Sequence, residues 1–121
     1  EKNRTRHGVM RYYLRIAGKR ICRLPDDIES EDFAKAYEQC DVILTPTSPT
    51  VAFPLGDKTS DPLTMYLCDI FTIPTNLAGH AAMSVPFGTG AHNMPVGVQV
   101  LAPALGEQTM FRVAAELERA S

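Results

Sequence analysis

DPLTMYLCDIFTIPTNLAGHAAMSVPFGTGAHNMPVGVQ, residues 61–99, is the stretch that decides the fold. It predicts two short helices followed by two strands that a Gly-containing loop joins. Asp61 should begin the first helix because its carboxylate can accept free amides of the first turn, and Pro62 loses nothing at the first helical position. Pro74 prevents one continuous helix, since its ring would clash with the carbonyl four residues earlier. We therefore expect a helix from Pro62 to about Cys68, then a break and a second helix.

The second of these helices is expected to begin at Thr72 as its cap, to hold Pro74 in its first turn and to end at Gly79. The break leaves Asp69 at a helix junction with nearby unpaired amides, and such junctions bind small ligands more often than helix middles do. An aspartate at this kind of junction is most often a cap. The residues by themselves therefore favour a capping role for Asp69.

Two strands are expected after the helices, at residues 82–87 and 96–101. The second has a period of two, because three valines alternate with other residues along it: Val96, Val98 and Val100. The loop at 88–95 contains glycine and asparagine, which favours an antiparallel hairpin between the strands. Beyond them, a last helix from about Glu107 to Arg119 should bury one stripe of side chains: Met110, Val113, Ala114 and Leu117.

Upstream, a helix from Ser30 to about Cys40 should present Phe33, Tyr37 and Cys40 on one face. The apolar run at 42–44 is typical of a strand buried on both faces, usually a parallel strand of an α/β sheet. Pro46 should take the chain out of the sheet because proline cannot donate to a ladder.

The first 23 residues are basic, and a short amphipathic helix ending at Gly18 is expected there. Residues 24–30 and 51–60 are expected to be loops. The order of helices and strands along the whole chain predicts an α/β fold.

Composition and charge exclude several classes of protein. The 121 residues are 45% hydrophobic and 21% charged with a net charge of −2, which is ordinary for a soluble domain and does not favour a nucleic-acid surface. No apolar run approaches the roughly 20 residues that span a bilayer, so no membrane association is expected. The scattered cysteines and histidines match no metal or disulfide spacing, so we expect reduced thiols in a cytoplasm and no metal site.

Several segments carry a family resemblance: MYLCDIFTIPTNLAGH, AMSVPFG and MPVGVQVLAPAL, preceded by TPTSPTVAFPLGDKTSDPLTMYL. In this order and spacing they resemble the C-terminal part of the amidase signature family, over residues 32–118. The resemblance implies a partial domain that fills the chain, residues 1–121, with 31–119 similar to the family and 1–30 a poor match. It also implies the family's α/β architecture, a mixed sheet with helices on both faces.

Within that family the motifs look most like those of the A subunits of glutamyl-tRNA(Gln) amidotransferases. This resemblance implies hydrolysis of glutamine, whose ammonia a partner subunit uses to amidate glutamate misacylated on tRNA(Gln). It implies assembly with subunits B and C as a heterotrimer, contact with tRNA only through the complex, and no cofactor in this chain, since ATP and Mg are used by the partner subunit. It also implies that Asp69 contacts the α-amino group of the bound glutamine, a task for which a carboxylate is suited.

Two parts of the family's machinery have no counterpart in the sequence. The Gly/Ser-rich signature that holds a serine–serine–lysine catalytic set is absent, and no residue matches the motif whose arginine holds the substrate carboxylate. Ser84 is expected to be a strand residue with a satisfied hydroxyl, because no glycine flanks it to form an exposed elbow. We therefore predict no catalytic residue and no amidase activity for the chain alone.

Two alternative functions stay open at this point. One is a segment of a stand-alone amide hydrolase, which has no fixed ammonium for Asp69 to recognise. The other is a non-enzymatic interaction module that binds a partner through residues 1–23. Near Asp69, Asn76 is expected to satisfy backbone groups at the helix end, and His80 to be a surface residue.

Overall fold

The computed structural model describes residues 14–16, 19–23 and 30–121. The described chain folds into a mixed sheet with flanking helices, in the order β1 Leu14–Ile16, β2 Lys19–Arg23, α1 Ser30–Gln39, β3 Val42–Pro46, α2 Pro62–Leu67, α3 Ile73–Ala78, β4 Ala81–Thr89, β5 Pro95–Ala102 and α4 Glu107–Ala120. The strands lie in the order β1-β2-β3-β5-β4, and only the β2–β3 pair is parallel. The predicted mixed α/β fold is confirmed.

Strand β3 lies in the middle of the sheet and separates two apolar cores. Val42 and Ile43 are both fully buried, and because successive side chains of a strand point to opposite faces, they enter different cores. The prediction of a strand buried on both faces is therefore confirmed. Its pairing is parallel only with β2, whereas its pairing with β5 is antiparallel.

The core on one face is formed by α4 against β3, β4 and β5. The predicted stripe of α4 is buried as expected and packs on strand residues of the same cluster: Val42, Val85, Val100 and Ala102. Helix α4 begins with Glu107 in its first turn and has Arg119 in its last turn, so both charges oppose the helix dipole favourably.

The core on the opposite face is formed by α1 and includes Phe33, Ala36 and Cys40 packed on Ile43 and Leu101. With α4 on one face and α1 on the other, the expectation of helices on both faces is confirmed.

The expectation that His80 would lie on the surface is wrong. The His80 ring lies 4.9 Å from that of Phe33 and 5.3 Å from that of Tyr37, measured between centroids. It is half-buried because two aromatic side chains of α1, distant in sequence, pack on it.

Pro46 does not leave the sheet, contrary to the prediction, but is the last residue of β3 and lies opposite Val98. The backbone amide of Thr47 donates to the carbonyl of Gly97 at 3.1 Å, which makes these two a hydrogen-bonded pair of the antiparallel ladder. Since hydrogen-bonded and non-bonded pairs alternate, the nitrogen of Pro46 points away from β5. The missing N–H of Pro46 therefore costs the ladder nothing.

The predicted helix before Gly18 is also wrong where the structure describes that region. Leu14–Ile16 is a strand that pairs antiparallel with β2, and Ile16 lies opposite Lys19. The sequence here alternates apolar and basic residues with a period of two as well as a period near four, and strand pairing selects the shorter period. The remaining residues of the expected helix, and the expected loop at 24–29, lie outside the described residues.

Candidate functional site

The junction between α2 and α3 is built by local capping. Asp61 accepts a hydrogen bond from the backbone amide of Leu63 at 3.0 Å and another from the Thr64 hydroxyl, so it is the N-cap of α2 as predicted. These bonds to the charged form hold the pKa of Asp61 below its ordinary value, the Thr64 hydroxyl contributing most. Helix α2 ends before Cys68, and α3 ends at Gly79, whose φ of 69° is left-handed as expected.

Asp69 closes the junction with its backbone rather than with its side chain. The carbonyl of Asp69 accepts hydrogen bonds from the amides of Thr72 and Ile73, each at 3.0 Å, and from the Thr72 hydroxyl at 3.0 Å. Thr72 occupies the N-cap position of α3, but its hydroxyl donates backwards and forms no cap bond. The predicted cap by the Thr72 hydroxyl is therefore wrong, because Pro74 has no amide to donate to it and the hydroxyl donates to the Asp69 carbonyl instead. The predicted cap by the Asp69 carboxylate is also wrong, because the amides of Thr72 and Ile73 donate to the carbonyl of Asp69.

A concavity of about 320 Å³ opens at this junction, lined by Asp69, Thr72, Ile73 and Asn76. Asp69 and Asn76 are exposed, and neither side chain forms a hydrogen bond within the described part of the chain. The prediction that Asn76 satisfies backbone groups is therefore wrong. The arrangement leaves an uncommitted carboxylate and an amide beside an open space, and a carboxylate can accept hydrogen bonds from an ammonium group.

The junction is fastened to the sheet by Gln99, a residue that sequence reasoning missed. Its side-chain amide donates to the Thr45 hydroxyl and to the backbone carbonyl of Phe71, both at 2.9 Å. Gln99 is 4% exposed; its hydrogen bond to Thr45 is buried and its hydrogen bond to Phe71 is partly buried. Within the period-two pattern of β5, a glutamine is expected to face solvent, which is why Gln99 was missed. Its burial could have been suspected from its position opposite Thr45, because β3 is otherwise apolar.

A second concavity, a groove of about 570 Å³, lies beside the ends of β3, β4 and β5. The hydroxyls of Ser84 and Thr47 share a hydrogen bond of 2.6 Å at its wall, which confirms the prediction of a satisfied Ser84 hydroxyl. Gly97 lies directly beneath, where a Cβ would be 2.7 Å from Ser84 Oγ, so only glycine leaves room for the pair. Among the described residues, those that line the groove include no histidine, lysine or carboxylate, so the described part of the chain places no general base beside Ser84.

Two features are absent from residues 14–16, 19–23 and 30–121: a cluster of metal-ligand side chains and a helix that could cross a bilayer. No three histidine, cysteine, aspartate or glutamate side chains of that part come together as a metal site requires. Among the helices described there, none has both the length and the apolar character needed to cross a bilayer.

Comparison with known proteins places this geometry in a family. A family model described as amidase matches residues 13–111. The A subunit of glutamyl-tRNA(Gln) amidotransferase from Streptomyces avermitilis is 53% identical over 92 residues, which are 75% of this chain and 18% of that protein. The corresponding protein of Maricaulis maris is 48% identical over 107 residues, covering 88% of this chain and 21% of the relative.

Solved structures agree with the sequence matches. The crystal structure of the glutamyl-tRNA(Gln) amidotransferase A subunit from Thermotoga maritima superposes with a TM-score of 0.71 at 51% identity, over 76% of this chain and 20% of that one. The structure of 6-aminohexanoate cyclic dimer hydrolase gives a TM-score of 0.62 at 28% identity, over 75% and 22% of the two chains. The chain thus spans about a fifth of the length of the relatives it matches. Since the family model covers most of its residues, the chain belongs to the amidase family.

Proposed function

We propose that this chain is a segment of the glutamine-hydrolysing A subunit of a tRNA-dependent amidotransferase. The proposal is supported by an identity of 51% with the A subunit of known structure, against 28% with the cyclic dimer hydrolase. In this role the chain forms one wall of a glutamine pocket and part of the sheet beneath it. The nucleophile and its serine and lysine partners are supplied by the family's Gly/Ser-rich signature, which this sequence does not contain.

The observation that carries the proposal is the uncommitted carboxylate of Asp69. It lines the concavity at the α2–α3 junction, and no described residue donates to it. In the proposed complex it accepts hydrogen bonds from the α-ammonium of glutamine, and these charge-assisted bonds discriminate against amides that lack an ammonium. Gln99 acts through the junction, because it fixes the carbonyl of Phe71 two residues away.

The reaction that follows from this assignment releases ammonia from the glutamine side chain. Partner subunits B and C complete the assembly as a heterotrimer in the cytoplasm, and a partner subunit uses ATP and Mg to activate glutamate on tRNA(Gln) before the ammonia attacks it. The tRNA then meets the other subunits, in keeping with a net charge of −2 on this chain.

The test is a chimera in which this sequence replaces the matching segment of the Streptomyces avermitilis protein, assembled with that enzyme's own partners. In the chimera, Asp69→Asn keeps the size of the side chain but removes its charge. The loss of a charge-assisted contact, worth about 1.5–3 kcal/mol, should lower kcat/KM for glutamine by roughly ten- to a hundredfold. Amidation driven by added ammonia should be unchanged, because it bypasses the glutamine pocket.

Asp57→Asn is the matched control, since Asp57 is an exposed aspartate of the 51–60 loop outside the concavity. It should leave both rates unchanged. A glutamine-dependent rate in Asp69→Asn equal to that of the unmodified chimera would remove the ammonium-binding role. Hydrolysis of amides without an ammonium, at a rate insensitive to Asp69→Asn, would favour the stand-alone amide hydrolase instead.

A further inference from the structure

Lys58 and Cys68 form a contact outside the glutamine pocket that joins the 51–60 loop to the C-terminal end of α2. The distance between Lys58 Nζ and Cys68 Sγ is 3.4 Å. The Lys58 ammonium also lies 4.1 Å from the centre of the Phe53 ring, so a cation–π contact helps to hold it. The Cys68 thiol in turn lies 3.4 Å from the carbonyl of Thr64, to which it donates. Both groups are thus held in position before any reaction.

Access to solvent separates Cys68 from Cys40. Cys68 is half-buried and at the surface end of a helix, whereas Cys40 is 1% exposed and donates to the carbonyl of Ala36 within the core. Oxidants modify thiols that they can reach, and a sulfenic acid formed on a cysteine condenses with a neighbouring nucleophile. At Cys68 that neighbour is an amine nitrogen already in contact with the sulfur.

We propose that Cys68 and Lys58 are a modification site at which a hydroperoxide creates a covalent sulfur–nitrogen cross-link. Hydrogen peroxide first converts the thiol into a sulfenic acid and is itself reduced to water. Lys58 Nζ, after giving up one proton to solvent, attacks the sulfur; the S–N bond forms as the S–O bond breaks, and the oxygen leaves with two hydrogens as a second water. The cross-linked product therefore weighs two hydrogens less than the reduced pair.

The cross-link acts on the same junction as the glutamine pocket but does not depend on glutamine. Cys68 is the residue before Asp69, and Lys58 belongs to a loop that otherwise reaches α2 through the Asp61 cap. A bond between them fastens the loop to the start of the junction. Because closely held groups react far faster than the same groups in free solution, the contact selects Lys58 over the other lysines.

The experiment treats the folded 121-residue chain with hydrogen peroxide and then cleaves it with a protease that cuts before aspartate. Cleavage before Asp57, Asp61 and Asp69 gives one peptide of residues 57–60 with Lys58 and another of residues 61–68 with Cys68. The expected result is a joined species equal in mass to the two peptides less two hydrogens. Tandem mass spectrometry locates the bond and assigns any oxygen gained by Met65 separately.

Two variants and one condition serve as controls. Lys58→Arg keeps a cation over Phe53 but removes the amine, so sulfenic acid should accumulate on Cys68, trapped by dimedone, with no joined peptide. Cys68→Ser should give neither product. The peptide 32–40 carries Lys35 and Cys40 together and should stay unjoined to 61–68 in the folded chain.

Three results would overturn the proposal. The first is a free thiol on 61–68 after treatment, and the second is a sulfinic acid on Cys68 with Lys58 unmodified. The third is an equal yield of the joined peptide in guanidinium chloride, where the folded contact is absent. Each of these results reports the covalent state of Lys58 and Cys68 directly, so none of them depends on an enzymatic assay.

Discussion

Helices α4 and α2 both carry apolar residues at helical spacing, but their surroundings are opposite. Helix α4 buries four side chains in the core, with Val113 fully inaccessible. Helix α2 buries none, and the residues at helical spacing along it and its following turn are 65% exposed at Leu63, 58% at Tyr66, 44% at Leu67 and 43% at Ile70. The comparison teaches that α4 is held by packing, whereas α2 is held by its caps and by the contacts of the junction.

The largest expected effect on stability comes from truncating a side chain of the packed core. Leu101→Ala removes a fully buried side chain from the α1 core and should lower the free energy of unfolding by about 2–5 kcal/mol. The same change at Leu77, which is 80% exposed on α3, should alter it by less than about 0.5 kcal/mol. Urea unfolding followed by circular dichroism measures both changes. Equal midpoints for the two variants would contradict the idea that the core is held by packing and the α2–α3 segment by its caps.

A smaller effect on stability is expected at Gln99, which links the α2–α3 junction to the sheet. Gln99→Met keeps the size of the side chain but leaves the Thr45 hydroxyl and the Phe71 carbonyl without their donor, at a cost of about 1–3 kcal/mol. The amides of Thr72 and Ile73 should then exchange faster with deuterium, while those of α4 change only with global stability. Gln108→Met, on the exposed side of α4, is the control. Uniform acceleration across the chain would show that Gln99 is only a core residue.

The link between β2 and β3 should appear in the pH dependence of stability. The backbone amide of Arg20 donates to Asp41 Oδ2 at 2.8 Å, and this bond above all holds the pKa of Asp41 below its ordinary value. A lowered folded-state pKa means that the stabilisation is present above the unfolded pKa, near 3.8, and is lost as the pH falls through the lower, folded-state pKa. Because both side chains are over a third exposed, the contribution is about 0.5–1 kcal/mol.

The corresponding variant is Asp41→Asn. It should lower the unfolding free energy at pH 7 and flatten its decline in the acid range, as measured by urea titrations at a series of pH values. An Asp57→Asn chain should keep the full decline. If Asp41→Asn and the unmodified chain lose stability in parallel below about pH 4, the link through Arg20 contributes nothing.

The smallest effect on stability should come from the exposed stripe of α2. Leu63→Gln combined with Leu67→Gln should change the unfolding free energy by less than about 0.5 kcal/mol. Contiguous exposed apolar surface promotes association, so sedimentation of the unmodified chain should depend on concentration and that of the double variant should depend on it less. Phe111→Gln, a lone exposed apolar residue of α4, should not change sedimentation. A monomeric unmodified chain at every concentration would contradict this.

Elements determined by near neighbours in the chain were predictable. The cap at Asp61, the stop at Gly79 and the stripe of α4 depend on residues within one or two turns, and the structure has each as expected. The strand at Leu14–Ile16 was not predictable in this way, because its sequence suits two periods and pairing with β2 decides between them.

Contacts between distant parts of the chain were missed at the candidate site. Gln99 bonds to Phe71 and Thr45, which lie 28 and 54 residues away, and His80 packs against aromatic residues of α1. Asp69 was singled out correctly as a junction residue, but whether its carbonyl or its carboxylate closes the junction depends on backbone geometry. Its contact with an ammonium stays a prediction.

The position of β3 beside β5 has a consequence for the order of folding. Strands β4 and β5 are joined through residues 90–94 alone, whereas the pair Thr45 and Gln99 is 54 residues apart. Closing the longer loop costs roughly 2 kcal/mol more conformational entropy, at about 0.6 kcal/mol for each doubling of length. The β4–β5 hairpin with α4 should therefore gain protection first in pulsed hydrogen exchange. The α2–α3 segment should become ordered last, because it lies in the long connection that closes only when β3 pairs with β5.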